Sequence, residues 1–259
     1  MERYVDIMAI NITDVCNMEC PHCMRGDSRG RTLPLSLIPR LFDGVRRIDC
    51  VVITGGEPAY YPEGVMAIAD YICENRDTLD VNGLYIATNG KTYCQELVDA
   101  VKQVMFLKIE KEYGNDREIS CMDRSWLGSS VEELSYTFGV AVSLDDFHDP
   151  ISIMNYARYK TSGVYSDAKE YSYAGYGVIS RGRGAGIHGS QEKPYREISV
   201  TSSDDGKELE CGTIYVNVEG LVFGDCDMSY EMEDSVEPAG DLNEMPMGKI
   251  LDKKKERKD

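Results

Sequence analysis

The chain has 259 residues, 42% hydrophobic and 28% charged, enough apolar material for one large domain or a domain with a small appendage. Its 45 acidic against 28 basic residues give a net charge of −17, a field that disfavours nucleic acid, whose phosphates are met by Lys and Arg. No apolar run approaches the ~18 residues of a membrane span and no signal-peptide pattern opens the sequence, so a soluble, cytoplasmic protein is expected.

Strand-like runs alternate with helical patterns, the signature of βα units around a parallel sheet. A first strand is predicted over 5–12, then a cysteine-bearing loop and a helix over 35–47. A strand over 50–54 precedes a helix over 62–75, and a strand over 83–88 precedes a helix over 93–104. Phe106 to Ile109 reads as a further strand, and 106–136 as an insertion, a lid or substrate-contacting segment holding the single tryptophan, Trp126. A strand over 138–144 and a helix over 151–160 follow. Tyr171 to Ser180 carries strand formers and leads into the glycine-rich Arg181 to Gly186. Two short runs, 213–218 and 221–223, flank Glu219-Gly220 as a hairpin signal. The charged tail from Lys249 is expected to fray.

Nine cysteines in a chain of this type favour metal binding or catalysis over a disulfide framework. Cys16, Cys20 and Cys23 have C-x3-C-x2-C spacing. Three thiolates can hold three corners of a 4Fe–4S cube, leaving one iron for a small molecule to chelate. Structural zinc is the alternative, with His22 as a fourth ligand, although its adjacency to Cys23 makes joint ligation awkward. Gly55-Gly56-Glu57-Pro58 ends the second strand, where parallel α/β sheets place ligands and where glycines allow close backbone approach. Thr88-Asn89-Gly90 and Ser143-Leu144-Asp145 end two later strands; alone, the first is ordinary turn chemistry. His148 is read as a surface or capping histidine, with a substrate-side acid–base role as the alternative.

The segment Thr13 to Met24, followed by Gly55 to Pro58, resembles the radical S-adenosylmethionine (SAM) enzymes. The resemblance implies a 4Fe–4S cluster on Cys16, Cys20 and Cys23, with SAM chelating the open iron. There it is cleaved reductively to a 5′-deoxyadenosyl radical that takes hydrogen from substrate. His22 fills the slot of the family's aromatic ring. Gly55, Gly56 and Glu57 match the motif that contacts the SAM amino group, Asn89 the one beside the nucleoside, and Ser143 and Asp145 those near ribose and methionine. Arg181, with Arg183 beside it, is a candidate partner for the SAM carboxylate or an anionic substrate. The implied fold is α/β, a partial (βα)6 TIM-type barrel over 1–198, with a C-terminal β-hairpin extension and charged tail over 199–259. A low-potential electron donor of flavodoxin or ferredoxin type is implied as partner.

Cys211 and Cys226, as C-x8-G-x5-C, resemble the opening half of the auxiliary-cluster (SPASM or twitch) extensions of peptide-modifying members. No cysteine follows Cys226, so a second cluster is not favoured; a redox-active pair or two unrelated cysteines are the alternatives. The substrate expected is a peptide. A small metabolite or nucleotide is the second reading, and a non-catalytic metal-binding or electron-transfer protein the third.

Overall fold

The computed structural model describes residues 1–114, 137–167 and 178–256. Trp126, Cys121 and most of the run Tyr171 to Ser180 lie outside them. The framework is a parallel sheet of alternating βα units: β1 (Glu2–Asn11), α1 (Ile38–Phe42), β2 (Arg47–Thr54), α2 (Pro62–Glu74), β3 (Asp80–Val81), β4 (Leu84–Thr88), α3 (Gln95–Tyr113), β5 (Phe138–Val142), α4 (Ile153–Lys160) and β6 (Tyr165–Asp167). After a 3-10 turn over Gly182–Gly186 come β7 (Val200–Ser202), β8 (Glu208–Val216), β9 (Leu221–Phe223), α5 (Tyr230–Ser235), β10 (Gly240–Asp241) and α6 (Met247–Glu256).

Strand order is β10-β9-β8-β1-β2-β4-β5-β6, with β3 beside β2 and β7 beside β8. The stretch from β8 to β6 is parallel throughout. Among the described residues the two ends do not pair, so the barrel is open. The strand expected in an appended hairpin, β8, is built into this sheet: it runs parallel to β1 from Glu2↔Glu208 to Ile10↔Val216. Its antiparallel partner β9 makes the predicted hairpin.

Helix α2 starts on Pro62, whose missing N–H costs nothing at a first helical position, and buries Val65, Ile68, Ala69 and Ile72 at three- and four-residue spacing. Helix α3 buries Leu97, Val98, Val101 and Val104 and continues to Gly114, which takes φ +76. Phe106 to Ile109 is therefore helix, not strand. Lys108 and Lys111, one turn apart, reach back to Asn82 (2.8 Å) and Asp80 (3.2 Å) beside β3, which fixes the helical course. The tail is likewise ordered as far as 256. Met247, Ile250 and Leu251 are buried, and Asp252 takes a forked ion pair from Arg3, with both Nη2 contacts at 2.8 Å. Expected helix 35–47 is shorter, because β2 begins at Arg47 and extends the pairing with β1.

Candidate active site

The loops leaving β1, β2, β4 and β5 at their carboxyl ends converge on a cavity of about 360 Å³ whose wall includes Cys16, Cys20, Cys23, Gly56, Asn89 and Ser143. The cysteine loop is held at its stem by the backbone of the glycine pair. Gly56 N donates to Thr13 O (2.6 Å) and Glu57 N to Val15 O (2.8 Å). A Cβ on Gly55 would stand 2.5 Å from Thr13 O, and one on Gly56 2.4 Å from Val15 O. These glycines are first a packing requirement: only a bare backbone lets two loops lie this close.

The glycine run after residue 180 grips the same loop from the other side. Gly182 has φ +53, and a Cβ there would meet Met24 O at 2.5 Å; Arg183 N donates to Cys23 O at 2.9 Å. Arg183 and Arg181 then diverge. The Arg183 guanidinium lines the cavity, donating from Nε to Cys20 O (2.9 Å) and from Nη1 to Asp27 (2.6 Å). Arg181 is buried away from the cavity wall, donating to Asp227 O, to Asp225 Oδ2 (3.3 Å) and to Lys193 O (2.7 Å). The arginine facing the cysteines is the second of the pair, a distinction that alternating Arg and Gly in the sequence could not make.

Glu57 also differs from its expected posture. It is fully buried, and its carboxylate accepts from Thr88 Oγ1 (2.7 Å), Asn89 N (2.7 Å) and Ala59 N (3.0 Å). It braces the β4 loop rather than presenting oxygens to the cavity. Burial pushes its carboxyl above the usual range despite those three donors. Asn89 is thereby fixed, and its Nδ2 donates to Asn17 Oδ1 (2.8 Å) and approaches Cys16 Sγ at 3.9 Å.

His22 and Asp145 meet each other. Asp145 Oδ2 lies 3.9 Å from His22 Nε2, and Asp145 Oδ1 lies 2.8 Å from His148 Nδ1. The His22 ring also packs against Phe147 and His148, at centroid distances of 5.0 and 4.7 Å. Asp145 is not on the cavity wall, whereas Ser143, His22 and His148 are.

A buried polar network behind the cysteines was not legible in the sequence. Arg25 lies over the Tyr215 ring (4.5 Å), donates to Met228 O (2.8 Å) and stands 3.9 Å from Glu233. Glu233 accepts from Tyr215 Oη (2.6 Å) and Asn217 Nδ2 (3.1 Å), while burial pushes its carboxyl up. Asp14, fully buried on the cavity wall, accepts from Asn11 Nδ2 (3.0 Å) and Arg31 Nε (2.9 Å).

The donor set suits an iron–sulfur cube better than a zinc ion. Zinc bound at ~2.3 Å by tetrahedral thiolates would hold its sulfurs ~3.8 Å apart. Among the described residues the three cysteine sulfurs do not all come within 4.8 Å of one another. Burial, then the charge of its two cysteine neighbours, pushes the Cys20 thiol up to about 11, and burial raises that of Cys16. Both are therefore thiols at neutral pH, and each gives up its proton when a cationic metal core takes it. Cys211 and Cys226 pack against different clusters. Cys211 is buried in the main core with Val5, whereas Cys226 packs beside the separate cluster of Ala9, Tyr215, Phe223 and Met228.

A cysteine-lined cavity at the carboxyl ends of an open parallel sheet stands where α/β barrels place their active sites. The family model of the Radical SAM superfamily matches residues 10–117. Similar solved structures include SuiB of Streptococcus suis bound to its precursor peptide SuiA, at 11% identity and a TM-score of 0.42, covering 95% of this chain and 64% of SuiB. BtrN in complex with AdoMet and 2-DOIA matches at 15% identity and a TM-score of 0.48, covering 97% of this chain and 83% of BtrN. Native anSMEcpe with bound AdoMet matches at 11% identity and a TM-score of 0.42, covering 95% and 80%. This chain thus spans less than two thirds of SuiB's length. No curated protein matches it. No helix among the described residues is long and apolar enough to cross a membrane.

Proposed function

We propose that this chain is a radical SAM enzyme in which Cys16, Cys20 and Cys23 hold a 4Fe–4S cluster with one iron left for SAM. The carrying observation is the spread of three thiols along one cavity wall, with His22 turned toward Asp145 instead of completing a tetrahedron. When bound, cluster and cosubstrate supply reductive cleavage of SAM, with 5′-deoxyadenosine formed at the expense of a substrate hydrogen. The chain's own residues orient and shield. Gly55 and Gly56 keep the cysteine loop against β2, and Glu57, through Asn89, fixes the wall beside Cys16. Ser143 stands on the wall as a hydroxyl partner for a sugar or an amino-acid moiety. Arg183 supplies positive charge beside Cys20. An electron donor of flavodoxin or ferredoxin type, working in the cytoplasm, completes the reading.

A peptide substrate is the reading carried over from the Cys211/Cys226 pattern. The packing of those two cysteines in different clusters gives no support to an auxiliary site, and a small metabolite or nucleotide is the second reading. Anaerobic incubation of cluster-loaded protein with SAM and dithionite is expected to release 5′-deoxyadenosine. A sample with about four irons per chain that releases none overturns the enzymatic reading.

A further inference from the structure

The chain has three histidines, and two of them, 126 positions apart in sequence, meet on the rim of the cavity with an aspartate between them. His22, Asp145 and His148 each offer a ligand atom, all within 4.8 Å of one another. Among the described residues this is the one set of three His, Cys, Asp or Glu groups so compact. We propose that His22, Asp145 and His148 form a second, mononuclear metal site for a divalent transition ion such as zinc, separate from the three cysteines.

Three features carry it. The first is spacing. Ligands ~2.1 Å from a tetrahedral ion lie ~3.4 Å apart. The two nitrogen–oxygen separations, 2.8 Å from His148 to Asp145 Oδ1 and 3.9 Å from His22 to Oδ2, lie on either side of that value, so the ion would be seated by the carboxylate turning one oxygen between the rings or using both. The second is unsatisfied chemistry. Nδ1 of His22 is shielded from solvent and has no hydrogen-bond partner, while Nδ1 of His148 meets Asp145 Oδ1 at 2.8 Å. Shielded polar nitrogens left unpaired are uncommon and ask for a reason. The third is preorganisation. Asp145 Oδ1 accepts from Phe147 N (2.9 Å) and His148 N (3.1 Å), which locks the carboxylate between the rings and leaves Oδ2 toward His22. The ring packing of His22 on Phe147 fixes the other side.

Two imidazoles and one carboxylate select borderline ions over calcium or magnesium, and they leave coordination positions open. On the rim of the cavity, those positions would anchor a substrate group that carries oxygen or nitrogen. An ordinary His–Asp ion pair is the competing account, and it binds no metal.

The experiment uses cluster-loaded protein titrated with zinc, washed, and read by metal analysis and zinc-edge X-ray absorption. The iron count on the same sample reports separately on the cluster. The expected result is about one zinc per chain in a nitrogen and oxygen shell at ~2.0–2.1 Å. His148→Ala and His148→Gln should weaken it at least tenfold, while His188→Ala, which alters the third histidine, leaves it unchanged. Two variants at His148 guard against a fold defect in one, and a retained iron count identifies a folded sample. The proposal falls if zinc is not retained. It falls equally if the shell shows sulfur at ~2.3 Å, or if both His148 variants bind zinc as the parent does.

Discussion

Replacing Gly56 by alanine tests whether the glycine pair is needed by the fold before any ligand arrives. The new methyl would lie 2.4 Å from Val15 O, 2.7 Å from Val15 C and 2.9 Å from Asp14 O. All three are backbone atoms, so no side chain can swing aside. Relief requires separating β2 from the cysteine loop, which breaks the bonds from Gly56 N to Thr13 O and from Glu57 N to Val15 O. Overpacking costs ~1–3 kcal/mol. Two backbone hydrogen bonds add ~0.5–1.5 kcal/mol each, so the total is ~2–6 kcal/mol. In a chain of this size ~1 kcal/mol moves the melting midpoint by ~2 °C, giving an expected fall of ~4–12 °C. Anaerobic thermal melts of the cluster-free protein measure it, and iron and sulfide analysis after reconstitution should show reduced cluster loading. A Gly56→Ala protein with the parent's midpoint and four irons would refute the reasoning, since the loops would then have room that the geometry denies them.

Arg183→Gln should make the cluster harder to reduce. A unit charge ~6 Å away acts with ~3 kcal/mol at an effective dielectric of ~20. The Asp27 partner and one-quarter exposure of the Arg183 side chain reduce this to ~1 kcal/mol, or ~40 mV more negative for one electron. An EPR-monitored redox titration reads the shift, and Arg183→Lys should restore part of it; equal potentials in all three proteins would exclude the charge effect. Glu233 has a raised carboxyl pKa, so its contribution is full below the ordinary carboxylate range and is lost as pH rises through its folded value. The melting difference between Glu233→Gln and the parent should therefore shift in the variant's favour from about pH 5 to about pH 7.5, and a constant offset would contradict it. Finally, Cys211→Ala and Cys226→Ala should keep about four irons per chain, whereas Cys16→Ala, Cys20→Ala and Cys23→Ala should each lose most of them; iron loss at Cys226 would reinstate a second cluster.

The periodic core was legible because burial and sequence pattern coincide there: Val65 to Ile72 in α2, Val51 and Ile53 in β2, Val140 and Val142 in β5. The motif order was legible for the same reason, since each chemical group follows a strand end. What could not be read were contacts between distant segments. The pairing of β8 with β1 joins residues some 200 positions apart, and nothing local in Glu208 to Val216 announces a parallel partner. The end of α3 was misread because Phe106, which is 58% exposed, made an apolar run look like a strand. The tail was misread because its charges hide the pair Ile250 and Leu251, which the core covers. Glu57 shows the converse limit. A motif's place in the sequence does not say where its side chain turns, and this one serves the neighbouring loop.

The far end of the chain completes the wall behind the cysteines. Arg25, two residues past Cys23, finds its acceptor on Met228 and its counter-charge on Glu233, while its own carbonyl takes the N–H of Tyr230. In synthesis Met228 and Glu233 follow Arg25 by some 200 residues. Until they are made, a guanidinium destined for the interior has no burial site, and the thiol loop beside it has no settled shape. The wall beside the thiols is thus finished by a segment far along the chain, not by the loop that carries them.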